Sequence, residues 1–408
     1  MKQADDFGTV CGDFPLFKRK INGKRIVYLD SAATSQKPAV VIKAMQNYYT
    51  HSNANIHRGI YQLSEEATQQ YEDAHATIGG FIGAGEREVV FTRNATEAVN
   101  LVAYSYGLKH VKKGDNIVVS VMDHHSNFVP WQQLCMKMGA DFRVADITDV
   151  GEIDMESLSS CIDKRTKIVA LPQVSNVFGT IVDVPAVADM AHEKGAVLLV
   201  DGAQSVPHMA VDVRKLQCDF LAFSGHKMLG PTGIGGLYGR EDILNSMDPF
   251  LYGGDMIKQV TKEKTTWNEL PWKFEAGTPH IEGGIGLAAA VHYLKKMGME
   301  NVALHDKKLL AYTTKRFGQM KDVTIYGDSH QKGGIISFNL RGVHPHDVSS
   351  IVASENVCIR AGHHCCQPLM KRLGVAATAR ASFYVYNTNK DIDVLCNALD
   401  NVRRVFRL

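Results

Sequence analysis

The sequence predicts an α/β fold in two parts. A large unit is built on a largely parallel sheet covered by helices on both faces, and a smaller α/β unit follows towards the C-terminus. Three observations predict this. Short apolar runs recur between residues 89 and 223, and stretches of helical spacing separate most of them. Such alternation makes parallel sheets, because a parallel strand needs a crossover to return. At 408 residues the chain is long for one compact unit, which favours two subdomains. Beyond about residue 287 the rhythm changes to strand-rich pieces with helices between them.

The elements follow in order. Ile21-Asn22-Gly23-Lys24 reads as a hairpin turn, and Arg25 to Leu29 as the strand it enters. From Pro38, Val41, Ala44, Met45 and Tyr48 fall at helical spacing. Val89 to Phe91, Asn116 to Val119, Lys167 to Leu171, Ala196 to Val200 and Phe220 to Phe223 have the length and composition of buried strands. Ala95 to Tyr106 and Val184 to Lys194 read as helices between them. Gly283 to Gly298 reads as a helix running away from this unit. Gly334 to Phe338, Val357 to Ile359 and the Ala379 to Tyr384 region are strands of the second. The large domain is expected over 31–286, and the small one over 287–408, completed by 1–30.

Composition excludes several classes. Lys+Arg 45 against Asp+Glu 43 gives a formal charge of +2, so neither a nucleic-acid footprint nor an acidic tail is implied. No run of about eighteen apolar residues marks a membrane span. Met1-Lys2-Gln3-Ala4-Asp5-Asp6 lacks the basic start and apolar stretch of a signal peptide. The eight cysteines form no Cys-x-x-Cys pair, which fits free thiols in a reducing compartment. A cytoplasmic enzyme is the simple reading.

The chemistry begins at two strand ends. One apolar run ends at Asp201-Gly202-Ala203-Gln204, and the next at Ser224-Gly225-His226-Lys227. Parallel neighbours would bring the aspartate and the lysine to one sheet edge, where ligands of such sheets gather. An amine and a carboxylate so placed suit pyridoxal 5′-phosphate (PLP). The lysine can form a Schiff base with its aldehyde, and the aspartate can keep the pyridine nitrogen protonated. The glycine-rich Gly230 to Gly236 would let backbone approach a bulky ligand closely. Asn94-Ala95-Thr96-Glu97 opens a helix whose first amides and Thr96 hydroxyl suit a phosphate, although a plain N-cap explains the same residues. In Asp123-His124-His125-Ser126-Asn127, an imidazole could stack on the pyridine ring and shuttle protons; zinc binding is the alternative. Arg360-Ala-Gly-His363-His364-Cys365-Cys366 places a thiol near histidines and an arginine, which favours thiolate. Four consecutive ligands wrap one tetrahedral ion poorly. Arg380 could clamp a carboxylate or serve the structure alone.

Together these residues resemble the fold-type I PLP enzymes, in the branch shared by cysteine desulfurases and class V aminotransferases. The resemblance covers nearly the whole chain. It is narrowest to the group II cysteine desulfurases of the SUF iron–sulfur assembly system. Tyr28-Leu-Asp-Ser-Ala-Ala33, Asn55-Ile-His-Arg-Gly59, Asp123 to Asn127, Val200 to Gln204, Ser224 to Lys227, Phe274-Glu-Ala-Gly-Thr-Pro279 and Arg360 to Cys365 carry it. It implies a mostly parallel seven-stranded sheet and a Schiff base on Lys227. Asp201 would pair with the pyridinium, Gln204 and Asn176 would contact the phenolic side, and His124 would stack on the ring. Thr96, Ala95, Ser224 and His226 would bind cofactor around the phosphate, joined in a homodimer by Thr278 from the neighbouring subunit. Arg380 and Arg360, with Asn176 and His57, would bind the substrate L-cysteine. Cys365 would be the nucleophile, taking sulfur as a persulfide and leaving L-alanine. A SufE-like or SufU-like protein would accept that sulfur and stimulate turnover. No metal, nucleic acid or membrane is implied.

Position 366 departs from the family pattern, which usually has a small residue there. Cys366 could relay sulfur, oxidise with Cys365, or be inert. A class V aminotransferase would share the lysine, aspartate and phosphate site without needing Cys365. Selenocysteine lyase activity is close to the main reading. A scaffold that has lost its cofactor is a third alternative, against which the intact Lys227 speaks.

Overall fold

A computed structural model describes residues 7–408; Met1 to Asp6, the stretch read for a leader, lies outside the described residues. Seven strands form the large sheet: β1 Val89–Thr92, β2 Asn116–Ser120, β3 Asp141–Ala145, β4 Thr166–Pro172, β5 Val197–Asp201, β6 Phe220–Ser224 and β7 Gly235–Gly239. Their spatial order is β1-β7-β6-β5-β4-β2-β3. The contacts from β3 through β6 are parallel, while β7 runs antiparallel to both β6 and β1.

The apolar runs form strands because each residue finds a core. Along β4, Val169 and Leu171 pack into one cluster while Ile168 and Ala170 pack into the other. Along β6, Leu221 and Phe223 alternate in the same way with Phe220 and Ala222. A period of two with both faces buried is the mark of a sheet between helical layers. Helices Ala39–Asn47, Gln62–Ile82 and Ile281–Met297 pack together on one side. Gly286 permits that approach, since a Cβ there would lie 2.7 Å from Pro231 and 2.9 Å from Met45.

A second, antiparallel sheet is made of β8 Val323–Tyr326, β9 Ile335–Leu340, β10 Arg360–Gly362 and β11 Thr378–Ser382, in the order β8-β9-β11-β10. It shares a core with helices Met299–Gly318, Pro345–Ser354 and Asn389–Phe406. The short strand Val27–Tyr28 pairs in parallel with Val357–Cys358. The Ile21–Lys24 turn is present, joining Lys20–Ile21 to Lys24–Arg25.

Three sequence expectations need correction. The strand expected over Arg25 to Leu29 is broken at Ile26: Lys24–Arg25 belongs to the hairpin, and Val27–Tyr28 is a separate strand of another sheet. The glycine-rich stretch was expected to open backbone to a ligand, yet Gly235 and Gly236 lie inside β7. A Cβ at Gly235 would sit 2.5 Å from the Phe223 carbonyl oxygen, and one at Gly236 2.4 Å from the Phe223 ring. These glycines allow close strand packing. The helix expected over 95–106 is α-helical for Ala95–Val102 and continues as a π-turn over Ala103–Gly107. Among the described residues, no helix is long and apolar enough to cross a membrane.

Candidate active site

A cavity of about 220 Å³ lies at the carboxyl ends of β4, β5 and β6, closed by the loop that follows β10. Twelve of the fourteen residues singled out from sequence line it: Ala95, Thr96, His124, Asn176, Asp201, Gln204, Ser224, His226, Lys227, Arg360, Cys365 and Arg380. Parallel pairing sets Asp201 opposite Ala222, and a 3₁₀ turn over Gly225–Lys227 then carries the lysine to the same edge. Burial pushes the Lys227 amine down to about 8, against the attraction of Asp201. Burial also raises Asp201, while Lys227 and the Ala203 N–H, which donates to its carboxylate (2.9 Å), oppose that rise. Gln204 donates to the Ala32 carbonyl (2.8 Å), and its own side-chain oxygen is buried without a partner.

Asn94 caps the helix Ala95–Val102 by accepting from the Glu97 N–H (3.0 Å), so the N-cap reading is correct for that residue. Thr96 is left free to meet the Ser126 hydroxyl (2.6 Å), and the Ala95 N–H donates to Ser224 (2.9 Å). Three hydroxyls thus gather at the positive end of a helix, which suits an anion. The carbonyl of His226 accepts from Ser35 and Lys37, which fastens the lysine turn to the Asp30–Lys37 segment.

His124 stands on a rigid turn. The buried Asp123 carboxylate accepts from the Ser120 N–H and hydroxyl and from Asn127, and Trp131 donates to Asn127. The Ser126 N–H donates to His124 Nδ1 (3.1 Å), so a neutral ring carries its proton on Nε2. Burial and the nearby Lys227 push this imidazole down to about 3, keeping it neutral.

The second sheet brings cations and a thiol. Arg360 and Arg380 are directly opposed on β10 and β11. Two like charges side by side would repel unless an anion joins them. Asp30 supplies part of that balance at 3.3 Å from Arg380, whose other arm donates to the Asn176 carbonyl (2.7 Å). Arg380 is 2% exposed, and its Nε has no partner. Burial pushes it down to about 10. Cys365 faces the same cavity, partly exposed, whereas Cys366 is buried and points elsewhere, donating to the Asp123 carbonyl (3.3 Å). His364 turns to Thr378. The four-residue run therefore splits in different directions, and among the described residues no group of three possible metal ligands forms. All eight cysteines are free.

His57 and Thr278 do not line this cavity. His57 lies against Trp272 (ring centroids 4.5 Å apart) and 4.0 Å from Glu72. Thr278 is exposed, on a separate cleft with Tyr71 and Glu275. Conversely, sequence reasoning gave no role to Asp30, Asp123 or Ser126, although all three lie in segments it quoted. Asp30 and Asp123 carry only the signal of a short polar residue soon after a strand, and Ser126 only that of a hydroxyl in the following turn.

The donor set fits PLP on observations of this chain alone. A lysine of depressed basicity faces a buried aspartate, hydroxyls ring a helix start, and unpartnered polar atoms of Gln204 and Arg380 are buried around the same space.

Comparison with known proteins identifies the family. Residues 27–395 match the model of the family described as aminotransferase class-V. A cysteine desulfurase of Haloferax volcanii is 50% identical, covering 98% of each chain. The apo structure of a cysteine desulfurase from Thermococcus onnurineus superposes with a TM-score of 0.93 at 39% identity, covering 98% of each chain. The cysteine desulfurase CsdA of Escherichia coli, in an S-sulfonic acid form, gives 0.91 at 36%, covering 98% of this chain and 99% of the other. The chain belongs to the class-V aminotransferase family and, within it, to the cysteine desulfurases.

Proposed function

We propose that this protein removes sulfur from L-cysteine, releases L-alanine, and holds the sulfur as a persulfide on Cys365 for an acceptor in iron–sulfur cluster assembly. The observation that carries this is one cavity shared by Lys227, from the large sheet, and Cys365, from the loop of the small one. A transaminase has no use for that thiol. We assign PLP to the cavity, with Lys227 as its anchor, Asp201 at the pyridine nitrogen, and Ala95, Thr96, Ser224 and His226 around the phosphate. His124 would lie on the ring, and Gln204 and Asn176 on its oxygen side. Bound there, the cofactor supplies an aldehyde for the substrate amine and a ring that draws electrons from the substrate Cα.

The protein's own groups do the rest. Arg380 and Arg360 hold the substrate carboxylate, which completes the charge balance that Asp30 begins. Lys227, with its lowered basicity, takes the Cα proton and returns it. The Cys365 thiolate attacks the substrate sulfur, forming the S–S bond as the Cβ–S bond breaks. The Cβ–S bonding pair stays on the carbon fragment, whose Cβ takes a proton; with its Cα proton returned by Lys227, the fragment leaves as alanine.

We also read the chain as the group II, SUF type, working as a cytoplasmic homodimer in which His57 and Thr278 serve the neighbouring copy. The domain boundary near residue 287 belongs to the same reading. A thiol recessed on a short loop fits slow turnover until a SufE-like or SufU-like acceptor removes the sulfur. The test is incubation of the holoenzyme with L-cysteine, followed by mass spectrometry of the Cys365–Cys366 peptide, with and without each acceptor. We expect alanine, one added sulfur on Cys365, and faster release with an acceptor. Cys365→Ala abolishes turnover, while Cys366→Ala keeps most of it. Sulfur on Cys366, or amino-group transfer without sulfide, overturns the assignment.

A further inference from the structure

The loop that presents Cys365 is short and unusually bent. It runs from the end of β10 at Gly362 to a helix over Gln367–Arg372. His364 and Cys365 have φ of 52° and 55°. Two consecutive left-handed residues, neither of them glycine, need outside support. Asn176 donates to the His364 carbonyl (2.7 Å), on the cavity side. From the other side comes His125, which bonds the nucleophile's own backbone and the chain just after it. Its backbone N–H donates to the Cys365 carbonyl (2.7 Å), and its ring Nε2 accepts from the Gln367 N–H (3.1 Å).

His125 is itself firmly mounted. It lies within the turn that Asp123 ties to Asn127 and precedes Ser126, whose N–H donates to His124. Its ring packs 5.8 Å from that of His363. Burial and His363 lower its basicity, which leaves the lone pair free to accept.

We propose that His125 is a positioning residue for Cys365, its ring holding the Gln367 N–H and thereby the left-handed turn that presents the thiol to the cavity. The inference rests on the reading of Cys365 as the sulfur acceptor. It also ties that thiol to the turn carrying His124, so the two approach the cavity in a fixed relation.

The bland alternative is that His125 merely satisfies an exposed helix-end amide, which water would do as well. The variants separate the two. His125→Phe keeps a flat ring but loses the acceptor. His125→Asn keeps polarity but is too short to reach. His125→Gln places a carbonyl oxygen near the Nε2 position. With holoenzyme of each, two quantities are read: kcat and KM for alanine formation from L-cysteine, and the rate at which iodoacetamide alkylates Cys365 in the absence of substrate. We expect the Phe and Asn variants to lose roughly ten- to a hundredfold in kcat, with KM nearly unchanged. Cys365 alkylation should become severalfold faster in both, as the loop loosens. The Gln variant should stay within about threefold of the parent on both measures, a spread too small to signal lost positioning. Should Phe fail to fold or to retain cofactor, the Asn–Gln pair carries the same comparison. Equal loss in all three variants, or no loss in Phe and Asn, overturns the proposal. Full activity of Cys365→Ala would instead overturn the functional reading on which it rests.

Discussion

At the scale of single residues, the chemistry depends on groups held away from their ordinary ionisation. Lys227 is the clearest case. Burial lowers it to about 8 even though Asp201 and Cys365 pull the other way. Only the neutral amine can attack an aldehyde, so the group is protonated below that value and nucleophilic above it. We therefore expect the apoenzyme to capture PLP at a rate that rises with pH around a midpoint near 8. An unperturbed lysine would place the midpoint about two units higher. Growth of the visible absorbance of the bound cofactor, followed from pH 6.5 to 10 in steps of roughly half a unit, measures it. A midpoint near 10 would show that the cavity does not desolvate the amine. Lys227 and Asp201 could be read from sequence because each ends an apolar run, and parallel strands bring such ends together. Asp30 and Asp123 could not. Asp30 matters through Arg380, 350 residues away, and Asp123 through a turn whose bonds are invisible until it closes.

At the scale of elements, legibility followed hydrophobic pattern. The runs that became β1, β2, β4, β5 and β6 were readable because both faces are buried and every residue is used. Strand β7 was not, because Gly235, Gly236 and Gly239 carry no apolar signal, and β3 was not, because its outer residues are partly exposed. The reason glycine is needed in β7 is packing, and that can be tested. In Gly235→Ala the new Cβ would press on the Phe223 carbonyl and lie 2.9 Å from Asn94 Cα. Both are backbone atoms, so the strand must shift and take with it the cap of the helix Ala95–Val102. We expect a loss of about 1–3 kcal/mol in a denaturant titration, with weaker cofactor retention, as for overpacked cores. Gly80→Ala is the control. It lies on the exposed face of the helix Gln62–Ile82, with nothing within 4 Å of the new methyl. That change should stabilise by about 0.5 kcal/mol or be neutral. A destabilised Gly80 variant, or an unaffected Gly235 variant, would show that this account of the glycines is wrong.

At the scale of the whole molecule, one cavity draws on two sheets, and two of the expected residues stand outside it. His57 and Thr278 are both exposed. So are large apolar side chains close to His57 along the chain: Ile60 is 97% exposed and Tyr61 55%. Neighbouring exposed apolar side chains gain free energy when a partner surface covers them. A twofold dimer would cover these side chains and offer His57 and Thr278 to the other copy, because an isologous contact repeats every residue on both sides. Mixing two impaired variants decides whether this happens. Cys365→Ala lacks the thiol, and His57→Ala lacks the residue proposed to cross. In a mixed dimer, the copy with an intact Cys365 receives an intact His57 from its partner, so one site of the two is complete. Random exchange makes about half of the dimers mixed, so about a quarter of parental activity should return, on top of any that His57→Ala retains alone. If His57 serves the cavity of its own chain, no site is ever complete and mixing restores nothing. Native mass spectrometry of the mixture, with one variant carrying a tag of distinct mass, counts the mixed dimers, so an absence of rescue would count against the shared site and not against the mixing.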